Sequence, residues 1–299
     1  MRIAVLRGGA LGDVVLTLPV LQALRRFYPN SFITFVAPFP QAELASRGHA
    51  DCVLDLNSVW LVPLFNPDRD LSPEIRDRLR ADLILSYLSD PIGVARKKLA
   101  DLVSISFVQG PFCLDLEKRH AVEQLAEPLK ALGISLMDPV PRLSVAGARP
   151  FNHRLAVHPA SGSPKKNWAL KKWIELLSML GPGFDELMVV SGEADMDITK
   201  SLLARISGKN VRLLENRPLW DLVTELREAV LFVGHDTGVT HLAAAAGTST
   251  VALFGPTDPA IWAPKGEHVL IARSPDQAMD GLSAKTVYDL ILNRWQSEI

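Results

Sequence analysis

Cysteine is almost missing from this chain. Cys52 and Cys113 are the two among 299 residues, 61 positions apart and without a CxxC spacing. That excludes a disulfide framework and a structural zinc site, and it fits a reducing compartment. An excess of one charge is also missing. Lys and Arg number 32 against 33 Asp and Glu, for a net charge of -1. Through residue 150 there are 17 basic and 16 acidic residues, and 15 and 17 follow. Neither half has the basic surplus that tracks a nucleic-acid backbone, so no nucleic-acid partner is expected. Long apolar runs are absent as well. The apolar run before Arg7 is four residues, shorter than the roughly 7–15 of a signal-peptide core. No other run approaches the ~20 residues of a membrane span, and a soluble cytoplasmic protein is expected. What is present, 48% hydrophobic and 22% charged residues, is a globular composition long enough for two medium-sized domains.

Short apolar runs alternate with segments of helical period. RIAVLR (2–7), SFITFVA (31–37), CVLDL (52–56) and LILSYL (83–88) read as buried strands, and Asp13 to Phe27 as a helix. A second series begins after residue 150. RLAVHP (154–159), LMVVSGE (187–193), VRLLEN (211–216), LFVGHD (231–236) and TVALFG (250–255) read as strands. Between them lie helix candidates at 170–180, 197–206, 218–229 and 237–247. Such alternation predicts an α/β fold with parallel sheets. The proline-bearing segment 138–151 is the best linker, and two doubly wound domains follow, with a ligand cleft between their strand C-termini.

GGALGD (8–13) stands where the first strand hands over to the first helix. Gly9 and Gly12 allow a tight turn and close approach of a ligand, and the helix N-terminus offers N–H groups to an anion. The glycine offsets match neither GxGxxG nor GxxxxGKS/T, so neither a nicotinamide cofactor nor a P-loop triphosphate is indicated. Asp13 has two readings: a helix-capping carboxylate, or a general base at the cleft mouth.

In the second half, VHPASGSPKKNW (157–168) follows a strand. Ser161, Ser163 and the loop N–H groups can face a phosphate, with Lys165 or Lys166 supplying charge, or the loop is simply solvated. Trp168 reads as a packing residue. SGEAD (191–195) offers Glu193 either as a helix cap or as acceptor for a sugar hydroxyl. In GHDTGVTHLAAAAGTSTVALFGPTDP (234–259), Asp236, Thr237 and Gly238 open a thin alanine helix whose N-terminus suits a diphosphate. His235 and His241 lie six apart, unlike the spacing of HExxH, so no metal is expected. No GxSxG elbow occurs, which disfavours a serine hydrolase.

Together RGGALGDVVLTLPVLQALRRFYP, HPASGSPKKNW and FVGHDTGVTHLAAAAGTSTVALFGPTDP resemble glycosyltransferase family 9, which includes the ADP-heptose:lipopolysaccharide heptosyltransferases. The resemblance implies GT-B architecture: an acceptor-side Rossmann-like domain at 1–146, a nucleotide-sugar domain at 147–281, and a helix at 282–299 returning to the first domain. It implies Asp13 as catalytic base, and Ser161, Ser163, Lys166, Glu193, Asp236, Thr237, Gly238 and His241 at the donor, with Gly9 and Gly12 in the first turn. The activity implied is inverting and metal-independent transfer of a sugar, heptose from ADP-heptose, to a lipopolysaccharide-core or related glycan acceptor, with no resident cofactor. Arg96 and Lys97 are candidates for an anionic acceptor, or a solvated helix face. The apolar run Val59 to Phe65 is a candidate contact with a membrane-borne acceptor at the cytoplasmic face of the inner membrane, or a packed loop. The alternatives are a catalytically silent sugar-nucleotide-binding scaffold of the same fold and a Rossmann oxidoreductase, the latter lacking its glycine fingerprint.

Overall fold

The apolar residues after Arg2 and the glycine turn behind them produce an opening β-α unit, β1 (Arg2–Leu6) and α1 (Leu11–Phe27). Residues Val14 to Leu21, with Ala23 and Leu24, are buried, as expected of a helix apolar on nearly every face. This is a computed structural model describing residues 1–116, 119–145, 147, 153–192, 196–206 and 210–295. It divides into two units, Met1–Pro141 and Arg142–Ile299.

The first unit adds β2 (Phe32–Ala37), β3 (Cys52–Asp55), α2 (Val62–Phe65), α3 (Pro73–Leu79), β4 (Ala81–Ser86), α4 (Val94–Ala100), β5 (Val103–Gln109), α5 (Ala121–Leu125) and α6 (Glu127–Lys130). Its five strands are parallel in the order β3-β2-β1-β4-β5. The order reverses between β1 and β4, the switch point beyond whose carboxyl ends doubly wound sheets place ligands.

The second unit repeats the plan with β6 (Arg154–His158), α7 (Leu170–Leu180), β7 (Glu186–Ser191), α8 (Met196–Leu203), β8 (Asn210–Glu215), α9 (Leu219–Glu228), β9 (Leu231–His235), α10 (Gly238–Ala245), β10 (Ser249–Phe254), α11 (Pro259–Trp262), β11 (Val269–Arg273) and α12 (Ala284–Trp295). Its order, β11-β10-β9-β6-β7-β8, is again parallel and reverses between β6 and β9. At the opposite, amino-terminal edge, Arg154 pairs with Glu186 at 2.5 Å and Glu228 at 2.9 Å. These charges stand away from the carboxyl-end crevice and serve the scaffold.

The two units meet at Pro141/Arg142, near the expected 146/147. The final helix packs into the second unit's own core. Ala284, Val287, Ile291 and Trp295 are buried in one cluster with Trp173, Leu176 and Leu180 of α7, because that apolar stripe has a matching face there. Gly12 is the second residue of α1, which begins at Leu11. Two strands, β5 and β11, were not anticipated. Both are sheet edges; β5 carries Ile105 at 74% exposure and alternates polar residues, whereas β11 has the short apolar run Val269–Ala272 and was passed over.

Candidate active site

In the second unit the site is built at the carboxyl ends of β6 and β9. Chain direction fixes what arrives there. His158 ends β6, His235 ends β9, and Asp236 and Thr237 follow directly. Gly234 lets α10 fold back over the sheet, since a Cβ there would stand 2.8 Å from Thr240 Oγ1 and 2.8 Å from the Phe232 ring. Ala243 to Ala246 are all buried, so the helix is thin enough for that approach.

Thr237 is the N-cap of α10, yet its hydroxyl does not cap. It lies 3.3 Å from His158 Nδ1 instead. The first-turn N–H groups of Gly238 and Val239 have no intrahelical acceptor, which makes this end of α10 receptive to an anion. Asp236 lies beside it with 8% side-chain exposure, and Lys166 Nζ donates to its Oδ2 at 2.6 Å. Thr257 Oγ1 donates to the same oxygen at 2.8 Å, and His241 Nε2 stands 4.0 Å from Oδ1. A cation, a carboxylate and a helix N-terminus therefore converge on one crevice.

The loop carrying Lys166 holds itself. Ser161 Oγ donates to Ser163 O at 2.8 Å and accepts Ser163 N–H at 3.3 Å, while Ser161 N–H donates to Asn167 Oδ1 at 2.7 Å. In this state the Ser161 hydroxyl shapes the turn that presents Lys166. Trp168 packs, 5.4 Å from Trp173 edge to face. Its backbone N–H donates to His235 Nε2 at 2.9 Å, which ties the loop to the end of β9. Glu193 lies outside the described residues. Among the described residues no three His, Cys, Asp or Glu side chains group as metal ligands.

In the first unit the structure shows the capping contact of Asp13 and adds a partner for it. Its Oδ2 accepts Ala10 N–H at 2.9 Å, closing the start of α1. Its Oδ1 accepts Arg7 Nη2 at 2.7 Å. Gly9, at φ +105°, is required twice, by its left-handed backbone and because a Cβ would stand 2.5 Å from Asp13 Oδ2. The carboxylate remains 32% exposed. Burial lowers the pKa of the Arg7 guanidinium, and the Asp13 charge opposes that loss. Arg96 and Lys97 are exposed on α4, whereas Lys98 Nζ is spent on the carbonyls of Pro63 and Asn66 at 2.7 and 2.6 Å. The Val59–Phe65 run divides, with Leu61 and Leu64 buried and Val59, Trp60, Val62 and Phe65 exposed.

Residues 113–291 match the family model for glycosyltransferase family 9 (heptosyltransferase). The chain belongs to glycosyltransferase family 9. It is a glycosyltransferase with the two-Rossmann-unit GT-B fold. Lipopolysaccharide heptosyltransferase 1 of Salmonella typhimurium is 24% identical over 324 aligned positions, covering 97% of this chain and 100% of that one. A glycosyl transferase family 9 structure from Veillonella parvula superposes with a TM-score of 0.82 at 19% identity, covering 98% of this chain and 97% of that one. Escherichia coli heptosyltransferase WaaC with ADP-2-deoxy-2-fluoro heptose gives 0.73 at 20% identity, over 98% and 100% of the two chains. In this family 9 member the sequence motifs missed four partners. His158, Asn167 and Thr257 lie inside the quoted motifs, where their side-chain contacts had no signature. Arg7 preceded the glycine turn and passed for strand.

Proposed function

We propose that the enzyme is an inverting transferase that moves heptose from ADP-heptose to a lipopolysaccharide inner-core acceptor and needs no divalent ion. The observation that supports this best is the Lys166–Asp236 pair at the N-terminus of α10, together with the ADP-heptose analogue carried by the WaaC relative. Departure of a nucleoside diphosphate builds negative charge, which the α10 N–H groups and Lys166 stabilise. Lys166 transfers from Asp236 to the diphosphate, and Asp236 turns to the sugar hydroxyls, still held by Thr257. Ser163, Glu193 and His241 complete the donor side in this reading. Asp13 takes the proton from the attacking acceptor hydroxyl, and attack opposite the leaving group inverts the anomeric carbon. Arg96 and Lys97 meet the anionic acceptor.

Calorimetry with ADP, UDP, GDP and NAD⁺ tests the donor assignment. Selective ADP binding is expected, with turnover retained in excess chelator. Preference for another nucleotide changes the sugar donor, and turnover lost to chelator and restored by Mg²⁺ or Mn²⁺ overturns the metal-independent scheme.

The same reading assigns the exposed Val59, Trp60, Val62 and Phe65 to the membrane surface that carries a lipid-linked acceptor at the cytoplasmic face. Sedimentation with vesicles of anionic phospholipid is expected to fall several-fold for the double variant Val59→Ser, Trp60→Ser. Unchanged partition returns these residues to ordinary surface.

A further inference from the structure

Arg7 is 4% exposed and emerges from the carboxyl end of β1. Its guanidinium makes one hydrogen bond among the described residues, Nη2 to Asp13 Oδ1 at 2.7 Å, while its buried Nε has no partner. This is a poor arrangement for stability alone. A buried guanidinium with an orphaned N–H costs more than an apolar side chain of the same volume.

Its surroundings hold it in place. The guanidinium carbon stands 5.9 Å from the centroid of the Tyr87 ring. Tyr87 is 1% exposed and its hydroxyl donates to Leu125 O at 2.6 Å. Gly110 makes room for that ring, since a Cβ there would stand 2.3 Å from Tyr87 Cε1. Burial raises the Tyr87 phenol's pKa well above its usual value, so it stays neutral beside the cation. The Asp13 carboxylate is thereby gripped at both oxygens, by Arg7 on Oδ1 and by Ala10 N–H on Oδ2. Each oxygen keeps a further lone pair, and the group keeps its exposed edge.

We infer that Arg7 is a positioning residue for the transfer reaction, held over Tyr87 so that it fixes the Asp13 carboxylate in one orientation. The inference rests on the reading of Asp13 as the base. A base must sit within hydrogen-bond reach of the proton it takes, and a carboxylate free to turn about its side-chain bonds spends little time there. The other elements packed on α1 are α5 and the turn Gln41–Ser46, which carry His120, Glu123 and Glu43. His120 Nδ1 accepts Val122 N–H. Arg7 supplies the cation hydrogen-bonded to Asp13.

Arg7→Met and Arg7→Lys test it in the full-length enzyme. Arg7→Met is expected to lower kcat about 100-fold with the donor KM little changed. Its melting temperature is expected to stay near wild type, because an apolar side chain of similar volume replaces the buried cation. Arg7→Lys restores part of kcat, since it returns the charge without the fork. A kcat that falls in Arg7→Met only in step with melting temperature, with no recovery in Arg7→Lys, reduces Arg7 to a structural residue and overturns the inference. The ¹³C resonance of the Asp13 carboxyl, assigned by its loss in Asp13→Asn, gives a readout independent of turnover. If its chemical shift and line width are the same in wild type and Arg7→Met, Arg7 does not orient the carboxylate. Full activity in Asp13→Asn overturns the base reading itself and removes the catalytic consequence of the grip, whatever the resonance does.

Discussion

Asp13→Asn is expected to lower turnover roughly 10²–10⁴-fold, the usual size of a general-base contribution. Asparagine keeps the shape of the side chain and an oxygen for Ala10 N–H, so the start of α1 survives. It cannot take a proton from the acceptor, and it leaves the buried Arg7 guanidinium without its counter-charge. Asp13→Ala goes further and removes the cap as well, at about 1 kcal/mol. Leaving one member of a fully buried ion pair alone costs about 3–5 kcal/mol. The cost here is lower, because the Asp13 side chain is 32% exposed and solvent screens that end of the pair. Steady-state turnover and thermal unfolding, measured on both variants, separate chemistry from stability. Both variants should lose stability through the unpaired Arg7, Ala the more because it also loses the cap, and turnover in Asn should fall far beyond what its folded fraction accounts for. Wild-type turnover in Asp13→Asn would falsify the assignment.

Lys166→Ala is expected to weaken ADP about 10–100-fold, the effect of losing one charge-assisted contact of about 1.5–3 kcal/mol. In the unliganded enzyme Lys166 and Asp236 neutralise one another at 2.6 Å, so each pays for binding by giving up the other. Removing the lysine leaves Asp236 with Thr257 Oγ1 at 2.8 Å and with His241 nearby. An uncompensated carboxylate then faces the diphosphate, and its repulsion adds to the lost attraction. The double variant Lys166→Ala, Asp236→Asn should therefore recover part of the ADP affinity, though not turnover. Calorimetry on the three proteins checks this. ADP affinity equal to wild type in Lys166→Ala would confine the lysine to holding Asp236.

Much of this was legible in the residues. The first turn, the Lys166 loop and the Asp236–His241 stretch were identified from small residues and glycines at strand ends, and the structure places them at strand ends. What was not legible was pairing. Asp13 offered a cap or a base from sequence, and the tertiary structure shows that capping is one oxygen's work while the other meets Arg7. Ser161 and Ser163 looked like phosphate contacts, yet their hydrogen bonds in this state run within the loop. Strand β5 escaped notice because it interleaves polar and apolar residues, with Ile105 exposed, while β11 has an apolar run of only four residues, Val269–Ala272. The terminal helix was legible as a helix, but not in its attachment. Which face it covers depends on the stripe it meets, and that stripe lies on α7, more than a hundred residues earlier.

The alternation of strand and helix, the parallel α/β class and the glycine-bearing strand ends could all be read from the chain alone. These depend on periodicity and on glycine, both local in the chain. Which charges meet depends on the packed fold. Lys166 finds Asp236 across 70 residues, and Arg7 lies over Tyr87 across 80. In a parallel sheet every crossover returns the chain to the same edge, so residues distant in sequence reach one crevice through strand order. Strand order is set by how whole apolar faces pack, which no local pattern records.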